Sequence, residues 1–244
     1  MKLARAPRRQ IGRWLRAKQN ALTGAAPPQL QRYLRPAVDH LDMLLVDHGI
    51  FRLVYSNRHR LSLTALRMAQ PTPTQLRTLA LKGVRTIVNL RGERDCGAYR
   101  LETEACQRVG LRLVNFTLRS RAAPERETVL RAKQLLDQIE YPIMMHCKSG
   151  ADRVGLFSAL YVHLREGVPI EVAKRQLDWR YGHFRQADTG ILDAFFESYL
   201  EHNRISPMPF MRWVETVYDP DALKARFHAS SWSNILVNTI LRRE

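Results

Sequence analysis

Short runs of apolar and β-branched residues alternate with stretches of helical periodicity from about residue 51 onward. The predicted strands are FRLVYS (51–56), LTALRMA (63–69), VRTIVNL (84–90), LRLVNF (111–116) and PIMMHC (142–147). The predicted helices between them are 72–83, 99–109 and 124–139. Strands that alternate with helices need crossover connections, which favour parallel pairing. The pattern therefore predicts an α/β fold with a central, mostly parallel four- to five-stranded sheet and helices on both faces.

Turn and cap residues set the predicted boundaries of these elements. Thr72 is a candidate N-cap and Gly83 a C-cap of one helix, and Gly110 ends the next. After Gly167 the segments 168–180 and 189–203 read as helical. We predict three parts: a basic N-terminal segment (1–50), a catalytic domain (51–204) and a C-terminal helical extension (205–244).

The charge balance points to anionic partners. The chain has 39 Lys and Arg against 23 Asp and Glu, a formal charge of +16. Nine of the basic residues precede the first acid, Asp39, and a partial helix is predicted around Ile11–Lys18. In this segment apolar residues lie at helical spacing among the cations. Two interpretations of the segment stay open: a solvated tail, or a helix that contacts an anionic membrane surface. Nucleic acid is disfavoured because aromatic residues are not interleaved with the basic runs.

Several classes are disfavoured by what the sequence lacks. No run of about 18 apolar residues occurs, so we expect a cytoplasmic protein, with peripheral contact at the inner face of the membrane as the alternative. The three cysteines form no CxxC pair, which argues against a disulfide framework or a zinc site. We expect neither a metal nor a cofactor.

Cys147 stands where a predicted strand ends and a helix is expected to begin. A chain that turns into a helix near Asp152 would point its loop amides inward, and the helix N-terminus would add positive potential. Such a cradle suits phosphate and would also stabilise a thiolate at Cys147. Arg153 can offer a bidentate fork to two phosphate oxygens. The predicted chemistry is attack of sulfur on phosphorus, followed by hydrolysis of the cysteinyl-phosphate.

The same Cys-to-Arg spacing recurs from Cys106 to Arg112, but in the opposite structural order. Cys106 lies inside a predicted helix that leads into a strand, so no amide cradle would face its sulfur. We therefore assign the chemistry to Cys147.

The stretch HCKSGADRVG (146–155) resembles the signature loop of the cysteine-dependent protein tyrosine phosphatases, in particular the dual-specificity branch and its bacterial members. The block ALRMAQPTPTQLRTLALKGVRTIVNLRGE (65–93) is also similar to bacterial and fungal members, and the likeness covers roughly 51–203. It implies Cys147 as nucleophile, Arg153 as phosphate clamp and His146 as a brace for the loop. The phosphate site would be lined by the backbone amides of Lys148, Ser149, Gly150, Ala151 and Asp152.

Two positions depart from the family pattern. Val154 follows the signature Arg where the family has Ser or Thr, so we expect slow turnover unless Ser149 substitutes. The loop where the family carries its general acid, 116–127, contains no Asp. The remaining candidates are Asp95, Glu125, Glu127 and Asp152, of which we favour Asp95.

The function that follows is that of a phosphomonoesterase of the dual-specificity type. Its substrate would be a phosphoprotein, a phospholipid or a phosphosugar. The alternative is a catalytically weak or idle phosphate-binding module on the same fold, in which Val154 and the missing Asp have removed turnover. If no residue supplies the acid, substrates with good leaving groups are favoured.

Overall fold

The computed structural model describes residues 23–47 and 55–228, together with positions 14, 17, 18 and 21. Its strands are β1 (His59–Arg60), β2 (Ala65–Ala69), β3 (Thr86–Asn89), β4 (Arg112–Asn115) and β5 (Ile143–Cys147). They form one sheet in the order β1-β2-β5-β3-β4. Among the strands of the described ranges, only β1 pairs antiparallel, so the expected mostly parallel sheet is confirmed.

Helices cover both faces of this sheet. They are α1 (Pro28–Leu41), α2 (Pro73–Leu81), α3 (Gly97–Val109), α4 (Arg126–Gln138), α5 (Asp152–Leu164), α6 (Ile170–Ala173), α7 (Ile191–Ile205) and α8 (Phe210–Thr216), followed by helical residues 220–228. Neighbouring residues of a strand point to opposite faces. Thus Met144 packs in a core with residues of α2 and α3, while Met145 packs with residues of α4, α5 and α7. The prediction of helices on both faces is confirmed.

The predicted caps form. The side chain of Thr72 accepts from the Gln75 amide at 3.3 Å, and the Gln75 side chain accepts from the Thr72 amide at 2.9 Å, which is a capping box. Gly83 and Gly110 follow the last turns of α2 and α3 with φ of +84° and +72°. Positive φ is accessible to glycine at little cost, so both helices end where the sequence predicts.

Two predicted elements differ in the structure. Of the strand predicted at 51–56, residues 51–54 lie outside the described ranges, and residues 55–58 form no strand. Segment 168–180, predicted to be helical, is divided into α6 and two 3-10 turns, Lys174–Gln176 and Trp179–Tyr181. The side chain and carbonyl of Gln176 bond to a buried arginine of β2 at this break, so tertiary contacts replace helical hydrogen bonds there.

The chain before the sheet is attached to α3. Asp39 of α1 pairs with Arg100 at 2.6 Å, and Asp42, in the π-helix Asp42–Val46, accepts from the amide of Gly97 at 2.7 Å. The partial helix predicted around Ile11–Lys18 lies largely outside the described residues. No helix in the described part of the chain is long and apolar enough to cross a membrane. The predicted boundaries between the three parts of the chain stay predictions.

Candidate active site

Cys147 ends β5, the strand at the centre of the sheet, and is 2% exposed. Residues 148–151 form a loop, and α5 begins at Asp152. The carboxyl end of a parallel strand is the usual place for a ligand site. Cys106, by contrast, lies within α3, where burial raises the pKa of its thiol to about 12.

The four carbonyl groups of the loop after Cys147 all accept hydrogen bonds, and their donors lie on one side of the loop. The donors are the Gln70 amide to Lys148 (3.4 Å), the Asn57 side chain to Ser149 (3.0 Å), and the Arg67 guanidinium to Gly150 (2.8 Å) and Ala151 (3.2 Å). In a trans peptide the N–H points away from the C=O of the same unit. Four successive amides, those of residues 149–152, therefore point to the other side of the loop. Such a row of amides at a helix N-terminus is an anion-binding arrangement.

Arg67 braces this loop from within the sheet. It is fully buried in β2, its guanidinium lies 4.1 Å from the ring centre of Tyr181, and it also bonds Gln176. Burial lowers the pKa of Arg67 to about 10, with Tyr181 and Cys147 opposing the shift. Sequence reasoning missed this residue because segment 63–69 reads as an ordinary strand. The available signal was a charged residue at the centre of an apolar run.

Gly150 is required by the shape of the loop. Its φ is +76°, and a Cβ at this position would lie 2.8 Å from the amide nitrogen of Ala69 and 2.9 Å from the carbonyl carbon of Met68. A side chain would therefore clash with the backbone of β2 as well as strain the turn.

His183 joins the start of α5 to the start of α7. Its Nδ1 lies 2.8 Å from Oδ1 of Asp152, and its Nε2 lies 2.7 Å from Oδ2 of Asp193. Burial alone would lower the pKa of His183, but the hydrogen bonds to the two carboxylates outweigh it and raise the pKa to about 9. Asp152 is therefore engaged by a charged histidine, which makes it a poor candidate for the general acid.

His146 is buried beside the carboxylate of Glu102, which comes from α3. The His146 Nε2 and Glu102 Oε1 atoms lie 2.5 Å apart, at an angle outside hydrogen-bond geometry. The other oxygen of Glu102 accepts from Gln70 at 2.8 Å, and Gln70 also accepts from Arg91. His146 thus belongs to a chain of buried polar contacts that continues through Glu102 and Gln70 to Arg91.

Arg153 lies in the first turn of α5, and no carboxylate of the described residues stands within ion-pair distance of it. Arg94 lies nearby. Burial and the charges of Arg91 and Arg153 lower the pKa of Arg94. Val154 is fully buried in the core cluster that includes Cys147, whereas Ser149 is exposed. The loop therefore offers one hydroxyl to solvent, that of Ser149.

The other acid candidates are exposed. Asp95 lies between β3 and α3 with its side chain 79% exposed and pairs with Arg100 at 2.6 Å. Glu125 is the N-cap residue of α4 and Glu127 lies in its first turn, and both are exposed.

A cavity of about 480 Å³ lies elsewhere, between α7 and the C-terminal helices, and is lined in part by His202, Trp213 and Arg226. It contains none of the predicted site residues.

A parallel sheet whose central strand ends at a cysteine, followed by an amide-lined loop and a helix that begins with Asp-Arg, defines the dual-specificity cysteine phosphatase fold. A profile of the family described as "DSP-PTPase phosphatase fused to NAD+ Kinase" matches residues 54–187, more than half of the chain. The chain belongs to this phosphatase family. A search of curated proteins finds no match.

Solved structures give further likenesses of fold. TpbA of P. aeruginosa is 22% identical and covers 62% of this chain and 91% of its own, with a TM-score of 0.49. Tk-PTP is 16% identical, and the match covers 59% of this chain and 98% of Tk-PTP, with a TM-score of 0.45. PTPMT1 is 18% identical, and the match covers 61% of this chain and 99% of PTPMT1, with a TM-score of 0.43.

Proposed function

We propose that this chain hydrolyses phosphate monoesters through a covalent intermediate on Cys147. The sulfur attacks phosphorus, the ester oxygen leaves as an alcohol or phenol, and water then releases orthophosphate and restores the thiolate. The observation that supports the proposal best is the row of loop carbonyls bonded on one side, which leaves four amides beside Cys147 and Arg153. Amides and a guanidinium fixed in this way stabilise the charge that develops on the phosphoryl oxygens.

The remaining site residues have supporting roles in this proposal. Arg153 binds two of the three phosphoryl oxygens, and the amides of residues 149–152 donate to all three. His146 holds the end of β5 through its contact with Glu102. Asp95 remains our proposed general acid, and its carboxylate is exposed and pairs with Arg100. Substrates are phosphate monoesters on protein, lipid or sugar.

Release of phosphate from p-nitrophenyl phosphate, in reductant and without metal, tests the reaction. Wild type should be active and Cys147→Ser inactive, and acid quenching should trap phosphate on Cys147. Cys106→Ser is the matched control, because Cys106 has the same spacing to an arginine but lies in α3. Full activity of Cys147→Ser would refute the proposal. An inactive wild type that still binds phosphate would favour the idle binding module.

We also propose an anionic membrane surface as a partner of the N-terminal segment. Helix α1 exposes a row of large apolar side chains: Leu30 (49%), Tyr33 (64%), Leu34 (37%) and Leu41 (51%). At 100° per residue these positions share one side of the helix, and Arg32 and Arg35 fall on the other. Nine Lys and Arg with no acid precede Asp39, which is the charge that anionic lipids attract.

Co-sedimentation with lipid vesicles tests this partner. Binding should occur with phosphatidylglycerol-containing vesicles, should be weak with phosphatidylcholine alone, and should fall in the double variant Leu30→Asp/Leu34→Asp. Leu81→Asp is the control, since Leu81 of α2 is 85% exposed but far from this row in sequence. Equal binding of the double variant and wild type would contradict the proposal.

A further inference from the structure

Asp47 lies buried between two cations that come from different loops of the candidate site. Its Oδ2 is 2.7 Å from Nη1 of Arg91 and its Oδ1 is 2.9 Å from Nη2, a bidentate pair. The same Oδ1 is 3.4 Å from Nζ of Lys148, the residue that follows Cys147. The Lys148 side chain is 40% exposed, and that of Asp47 only 5%. One carboxylate therefore balances charge from the loop after β3 and from the loop after β5.

Asp47 belongs to a part of the chain that the family match does not cover, since the match begins at residue 54. It follows the π-helix Asp42–Val46, where Met43 packs against Cys96 and Leu101. The contacts of Asp39 and Asp42 with α3 fix the same segment. A segment that precedes the family domain thus contributes a side chain to its site.

The site has an excess of positive charge that Asp47 offsets. Burial alone would lower the pKa of Arg91, but the hydrogen bonds to Asp47 raise it above the ordinary value. Arg94, near Arg91 and Arg153, has its pKa lowered by partial desolvation and by those like charges. A fourth cation free to move among them would strengthen binding of any anion.

We propose that Asp47 is a specificity-determining residue that withholds Lys148 from phosphate and so limits how tightly the loop binds anions. This inference rests on the proposed function, because it takes the loop as the phosphate site. With Lys148 held, the loop binds a monoester phosphate through its amides and Arg153. With Lys148 released, the ammonium group becomes a mobile extra ligand that favours phosphate product and substrates with a second anionic group.

Calorimetric binding of inorganic phosphate tests the inference without requiring turnover. We expect Asp47→Asn to bind phosphate about three- to ten-fold more tightly than wild type at low salt, with the gain reduced at high salt. The gain should vanish in the double variant Asp47→Asn/Lys148→Met. Asp39→Asn is the matched control, since it breaks a buried pair of the same segment with Arg100, and its phosphate affinity should stay within about two-fold of wild type.

Unchanged or weaker binding by a folded Asp47→Asn, or a gain that persists in the double variant, would overturn the inference. Loss of Asp47 leaves Arg91 buried without its carboxylate partner and can prevent folding. Lys148→Met alone then decides: affinity within about two-fold of wild type supports a withheld lysine, and a ten-fold loss would show that Lys148 is a phosphate ligand. A wild type that binds no phosphate would refute the proposed function itself.

Discussion

The guanidinium of Arg67 donates from Nη2 to the carbonyl oxygen of Gly150 at 2.8 Å, although 83 positions separate the two residues. The same nitrogen donates to Ala151 at 3.2 Å. One buried side chain of β2 therefore fixes the orientation of two consecutive peptide units in the loop after Cys147. The direction of the loop amides depends on this contact between distant parts of the chain.

Replacing Arg67 with Lys should impair phosphate release far more than it impairs folding. Arg67 uses Nη2 for the two loop carbonyls and Nη1 for Gln176, whereas a lysine has a single nitrogen and cannot make both sets of contacts. Misplaced loop amides cost on the order of 10²-fold in rate. Phosphate release and thermal unfolding measured side by side check this, with Arg77→Lys on the exposed side of α2 as control. Activity of Arg67→Lys near that of wild type would show that the loop holds its shape without the fork.

Gly150→Ala should lower both activity and stability. The added Cβ would lie 2.8 Å from a backbone nitrogen, in a residue whose φ is +76°. Gly83→Ala is a matched control, because Gly83 has φ of +84° but nothing within 4 Å of its Cβ position. The control should lose only the roughly 1 kcal/mol of the left-handed conformation, so the difference between the two melting temperatures measures the clash. Equal losses would mean that β2 yields to the new methyl group.

Stability should depend on pH through His183. Its pKa is about 9 in the folded chain, above the ordinary 6.5, so the charged form stabilises the fold. The contribution, on the order of 3 kcal/mol, is complete below pH 6.5 and is lost as the pH rises through 9. Melting temperatures between pH 6 and pH 9.5 should fall more steeply in wild type than in His183→Gln. His40→Gln, at an exposed position of α1, should behave as wild type.

Asp95→Asn tests the general acid. If Asp95 protonates the leaving oxygen, the variant should lose about 10²–10⁴-fold on alkyl phosphates and little on aryl phosphates with good leaving groups. Glu125→Gln and Glu127→Gln are parallel variants at the other exposed candidates. If the rate of every variant relative to wild type is the same for all leaving groups, hydrolysis proceeds without a general acid. The substrates would then be restricted to those with good leaving groups.

The order of elements around Cys147 could be predicted because it depends on local signals. An apolar strand, a glycine in the following loop and a resumed helical period are all contained in about twenty residues, and the structure has β5, the loop and α5 in that order. The ends of α2 and α3 were predictable for the same reason, since capping is a short-range interaction. Segment 168–180 was not, because Gln176 bonds Arg67 of β2, which is 109 positions away in sequence.

The sequence by itself determined the class of fold, the position of Cys147 at a strand end and the phosphatase family, since each depends on periodicity and on contiguous motifs. Only the tertiary structure decided that Arg67 orients the loop and that His183 pairs with Asp152. It also decided that Asp47, which lies outside the family domain, pairs with Lys148. Those contacts join residues that are far apart in sequence. Burial and packing of whole elements bring such partners together, and no local pattern encodes them.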